Sequence, residues 1–329
     1  MRRFLADASR FLAPLAAAVA AIAWLSLAAS RAVYRSRIAL PGDARFVAIG
    51  DSEPACALDP GAFPGLVNQA AAAQSLDQVL YKVRDLLEVN AGRDFTVVLE
   101  LSPRRMCMGF PPLVSTDYES RYVLLNYLHL FDSRRPLGDP VRMFRDRVVP
   151  DAFHQATGYR FKKNRRKRDG LLVEVVWGRF TPSPGAVYVE DPDKARRETE
   201  RYFELFSGNC REDPSFSRGA PLVDEIAGLV RSSGRRIVLL TTPWHRSLLA
   251  KIPQDVMRRF EASMAGLAAR NGAEWVNDLR LDLPDSCFRD QNHLNSEGAR
   301  RYSEILKARL GEGCLPITRS PDTTEGLTT

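Results

Sequence analysis

No two cysteines in this chain stand in the Cys-x-x-Cys spacing shared by zinc sites and thioredoxin-type redox sites. The five present (Cys56, Cys107, Cys210, Cys287 and Cys314) are scattered, and their odd number leaves at least one thiol unpaired. Histidine is scarce, with four in 329 residues. A glycine-rich phosphate cradle is also missing, because VAIGDSEPACALDP at 47–60 carries only Gly50. There is no internal repeat. These absences remove the usual signs of metal, dithiol and nucleotide chemistry, and the reading includes no metal and no organic cofactor.

Hydrophobic residues make up 45% of the chain and charged residues 26%, enough to close a full core. A net charge of +7 is compatible with an anionic partner, but in a chain of this size such an excess is mostly solvated surface. Residues 11–29, FLAPLAAAVAAIAWLSLAA, are nineteen positions without a charge. At ~1.5 Å per residue they nearly match a hydrocarbon core of ~30 Å, which predicts an N-terminal transmembrane helix. The alternative is a cleaved signal peptide, for which Ala28 and Ser30 are small enough. Arg2, Arg3 and Arg10 before the run are matched by Arg31, Arg35 and Arg37 after it, so charge does not set the orientation.

The expected organisation is an anchor over 1–30, a linker over 31–44, a domain over 45–314 and a disordered tail over 315–329. Short apolar runs at 45–50, 95–101, 235–243 and 273–279 alternate with helical patterns at 69–89, 253–272 and 295–311. That alternation predicts an α/β domain with a central parallel sheet and covering helices. Asn295 stands where the last helix would be capped. The alternation fails between 103 and 218, which reads as a long insertion.

Loops leaving the carboxyl ends of parallel strands converge on one edge, where α/β sites are built. Ser52 follows the first apolar run directly. On its own Gly-Asp-Ser is as well explained by a turn serine bonding to backbone, and a nucleophilic role requires a base. His129 and His154 read as core or surface histidines. His245, after LLTTPW, stands at a strand end and is a candidate to face substrate. His293 lies three residues beyond Asp290, ahead of the last helix. Asp-x-x-His lets the carboxylate hold Nδ1 and leaves Nε2 for the serine.

GDS at 50–52 and DQNHLNSEGA at 290–299 resemble the nucleophile block and the final block of the SGNH (GDSL) hydrolase superfamily. The resemblance covers 45–102 and 235–310. It implies a flavodoxin-like three-layer α/β/α sandwich with Ser52 as nucleophile, His293 as general base and Asp290 as its orienting carboxylate. The family usually places an oxyanion-binding Asn after the third strand, where this chain reads LELSPRR at 99–105. Asn68 is the substitute donor, beside the amide of Ser52, or else a cap for the following helix. Glu53, next to the serine, is a second departure, and its charge disfavours an anionic substrate.

An anchor joined to such a domain resembles the extracytoplasmic proteins that work beside membrane-bound O-acyltransferases on alginate, peptidoglycan or teichoic acids, D-alanine transfer proteins among them. The resemblance implies a single-pass protein of the bacterial inner membrane with its domain periplasmic or extracellular. It would be a serine esterase or O-acyltransferase acting on acyl esters of an envelope polysaccharide. The alternative is a non-catalytic anchored module that binds an anionic polymer or partner. Seven of the nine residues 160–168 are Lys or Arg, including Arg165, Arg166, Lys167 and Arg168. This cluster reads as an exposed loop, either merely solvated or facing anionic headgroups or polymer rather than nucleic acid. Outside the membrane, Cys287 and Cys314 are plausible disulfide partners.

Overall fold

The computed structural model describes residues 38–70, 74–107 and 219–312, with isolated positions elsewhere, Arg35, Phe203 and Phe216 among them. The expected span at 11–29, apart from isolated positions, the 160–168 cluster, His129, His154 and the 315–329 tail lie outside the described residues. Among those described, no helix is long and apolar enough to cross a membrane.

The chain runs β1 (Phe46–Ile49), α1 (Ser52–Ala57), β2 (Leu66–Asn68), α2 (Leu76–Val89), β3 (Thr96–Glu100) and α3 (Pro103–Cys107). After the insertion come α4 (Ala220–Ser232), β4 (Ile237–Thr241), α5 (Arg246–Leu249), α6 (Gln254–Arg270), β5 (Glu274–Asn277), a 3-10 turn at Asp285–Cys287 and α7 (Ser296–Glu312). The strands form one parallel sheet in the order β2-β1-β3-β4-β5. FVAI, TVVLE and IVLLT are buried throughout, because the inner strands of a parallel sheet are covered on both faces.

Side-chain alternation divides the sheet's apolar residues between two cores. Val47, Ile49, Val97, Leu99, Ile237 and Leu239 pack with residues of α2, α4 and α6. Phe46, Ala48, Val98, Val238 and Leu240 pack with Tyr302, Leu306 and Leu310 of α7. Ile38, Leu40 and Ala44, in the stretch expected as linker, are buried in the first core, where Asn90 bonds both Leu40 N and Ile38 O. α2 starts later than the 69–89 pattern suggests, since Ser75 and Gln78 close a reciprocal capping box there. Asn295 Oδ1 does cap α7, accepting from Gly298 N at 3.0 Å.

The chain leaves β1 towards β2 on one side and returns to β3 on the other. The carboxyl ends of β1 and β3 therefore flank the point where the winding reverses, the usual place for a crevice.

Candidate active site

Gly50 closes β1 because nothing larger fits: a Cβ there would lie 2.5 Å from Pro54 Cγ and 2.9 Å from Glu100 Cβ. Asp51 then caps α1, its Oδ1 accepting from Glu53 N at 2.8 Å. Ser52 becomes the first residue of a helix at the sheet's carboxyl edge, half-buried. Among the described residues no acceptor meets its N–H.

His293 is carried by the loop between the 3-10 turn and α7. A bridge between Phe288 and Leu294 pinches that loop, and Arg289 N donates to His293 O at 2.9 Å. Asp290 Oδ1 accepts from the backbone N–H of Asn292 (3.2 Å) and of His293 (2.9 Å). The same carboxylate meets His293 Nδ1 at 2.8 and 2.9 Å, and His293 Nε2 lies 2.8 Å from Ser52 Oγ. With Nδ1–H donating to the carboxylate, Nε2 is left to accept from the serine. Burial works against the imidazolium, but the charge and hydrogen bond of Asp290, then the charges of Glu53 and Asp51, raise His293 above its ordinary 6.5. Burial likewise opposes ionised Asp290, yet His293, the Asn292 amide and Arg289 bring it below 3.8. This arrangement can take a proton from Ser52 Oγ and hold it on an imidazole braced by a carboxylate.

Two expected roles need correction. Asn68 is not placed as an oxyanion donor, because its Nδ2 donates to Pro54 O (3.0 Å) and Leu58 O (2.9 Å). Nor does it cap α2; its Oδ1 accepts from Ala70 N at 3.1 Å, so Asn68 fastens α1 to the end of β2. His245 does not face substrate. It is buried, with Nε2 at 3.1 Å from Asp285 Oδ1 and Nδ1 against Ser247 N (3.2 Å) and Oγ (2.7 Å), edge-on to Phe288. It caps α5, and its N–H ties down the histidine loop through Gln291 O at 2.8 Å.

After β3, Glu100 and Arg105 form a buried ion pair at 2.9 Å. Arg105 also donates to Gln74 O, and Lys82 Nζ to Gln69 O and Gln74 Oε1. Burial, then Arg105, pushes Lys82 down to about 7. Cys287 is a free, fully buried thiol packed among Phe288, Leu294 and Tyr302; Cys314, its expected partner, lies outside the described residues. Cys107 is disulfide-bonded.

Among the described residues no cluster of His, Cys, Asp and Glu could hold a metal ion. Glu53 is only 2% exposed. Its carboxylate receives Trp244 Nε1, Thr242 Oγ1 and Asn292 Nδ2. A charged residue followed by Pro54, Ala55, Cys56 and Ala57 was the available signal that this side chain turns inward for a reason. No protein-family model matches the chain, and no curated protein matches it significantly.

Proposed function

We propose that the chain is a serine esterase or O-acyltransferase resembling SGNH hydrolases, acting on acyl esters of a cell-envelope polysaccharide. The observation that carries this reading is the unbroken series Asp290, His293 Nδ1, His293 Nε2, Ser52 Oγ at hydrogen-bond distance on the sheet's carboxyl edge. A flavodoxin-like three-layer sandwich is supported by the strand order and by the apolar cores on both faces of the sheet.

In the proposed reaction Ser52 Oγ attacks the ester carbonyl while His293 Nε2 takes its proton. The acyl–oxygen bond breaks, the alcohol leaves with that proton, and an acyl-serine remains. Water or a sugar hydroxyl attacks it next, its proton passing to His293; the acyl–Oγ bond breaks, His293 returns that proton to Ser52 Oγ, and the acyl group leaves on the new oxygen. The Ser52 N–H at the start of α1 is the available donor to the oxyanion.

A single-pass inner-membrane anchor with the domain periplasmic or extracellular fits the 11–29 run, and the disulfide at Cys107 suits an oxidising compartment. A membrane-bound O-acyltransferase is the partner this architecture suggests. One observation favours the non-catalytic reading, a module binding an anionic polymer: Asn68 is committed and Glu100–Arg105 occupies the place of the usual oxyanion Asn.

Turnover of p-nitrophenyl acetate separates the two. The esterase reading expects Ser52→Ala and His293→Ala each to lose at least ~10³-fold in rate, because members of such a series act as a unit. Near-normal turnover by the His293 variant sinks it.

A further inference from the structure

Asp290 orients the imidazole within its own loop, but His293 and Ser52 are 241 residues apart in sequence, and the loop and turn that carry them must also be held to each other. Glu53 is placed to do this. As the second residue of α1 it neighbours Ser52 directly, and its carboxylate reaches two other elements. Oε2 accepts from Trp244 Nε1 at 2.9 Å and from Thr242 Oγ1 at 3.4 Å, both just beyond β4. Oε1 accepts from Asn292 Nδ2 at 3.1 Å, and Asn292 immediately precedes His293.

We propose that Glu53 is a positioning residue for the Ser52–His293 pair: it clamps the serine turn to the histidine loop and places a second negative charge behind the imidazolium. This rests on the esterase reading for its consequence in turnover, but not for its geometry.

The chemistry of the donors supports the assignment. A buried carboxylate is costly unless its oxygens are satisfied. The indole N–H of Trp244 can only donate, and Asn292 presents its NH2, so the two oxygens face donors from opposite sides. A neutral carboxyl or an amide would set a hydrogen or an NH2 against one of them. The titratable groups around Glu53 are Asp51 on its own turn, Cys56 further along α1, Glu100 at the end of β3 and His293 on the loop. Burial, then Asp51, pushes Glu53 up to about 7; the Trp244 donor, the His293 charge and the Asn292 donor pull the other way. The carboxylate is therefore most firmly ionised when His293 carries the proton taken from the serine, and by reciprocity it favours that proton's staying there.

The test is an NMR titration of His293 in the full chain, comparing wild type with Glu53→Gln and Trp244→Phe, alongside steady-state ester cleavage. Trp244→Phe removes the indole donor to Oε2 and leaves a smaller aromatic ring in its place, with Glu53 itself intact, so it decides the question if the Gln variant does not fold. Both variants are expected to titrate His293 at lower pH than wild type, and Glu53→Gln to lower kcat about tenfold with KM little changed. A His293 titration identical to wild type in a folded variant overturns the proposal and reduces Glu53 to packing. If wild type cleaves no ester while His293 still shifts, the esterase reading has failed and the positioning role stands.

Discussion

At the residue scale, the pair His293 and Asp290 was legible because it is local: three residues separate them, and Asp-x-x-His needs only one turn of chain to bring carboxylate to Nδ1. Asn68 and His245 were not, for the opposite reason. The groups that occupy them, Leu58 O for the one and Asp285 for the other, come from positions 10 and 40 residues away. No local pattern announces that a side chain's hydrogen bonds are already spent. The raised pKa of His293 has two consequences of opposite sign. As the proposed base it must be neutral, so kcat/KM for a neutral ester should fall as pH drops through a value above 6.5, the usual imidazole figure. As an ion pair with Asp290 it stabilises the fold below that ordinary value, and this contribution is lost as pH rises through the raised one. A pH–rate profile with its acid limb below 6.5 would count against the base assignment.

At the scale of elements, long amphipathic helices showed themselves by period, whereas α1, α5 and β2, of six, four and three residues, are too short to establish one. The true start of α2 was written in the sequence as Ser75-x-x-Gln78, a capping-box pattern that follows four alanines at 70–73 whose own preference is for helix. The junction that matters most for the site is where α7 packs on the turn ahead of the histidine loop. A Cβ on Gly298 would lie 2.1 Å from Cys287 O. Backbone on that side cannot give way without moving Phe288 and the bridge that pinches the loop. Gly298→Ala should therefore cost about 2 kcal/mol in urea denaturation and lower ester turnover as well. Equal stability and turnover would show that the contact relaxes freely.

For the whole molecule, the parallel sheet followed from β-rich runs alternating with helices, and the reversal of winding beside β1 explains why Ser52 sits at a usable edge. Cysteine pairing was not legible, since sequence shows neither which thiols are interior nor which approach each other. Cys56 and Cys287 are both buried and free, while Cys107 is bonded. Alkylation of the denatured chain without reductant should modify Cys56 and Cys287 and spare Cys107, which should react only after reduction. Modification of Cys107 without reductant would remove the support that its disulfide gives to an extracytoplasmic location.

The central claim is that Asp290 and His293 activate the hydroxyl of Ser52. It is tested most directly by treating the full chain with a fluorophosphonate and locating the adduct by peptide mass spectrometry. The arrangement predicts one phosphonylated peptide, containing Ser52, formed by wild type and lost in His293→Ala. No adduct, an adduct on another serine, or undiminished labelling of the His293 variant would contradict it.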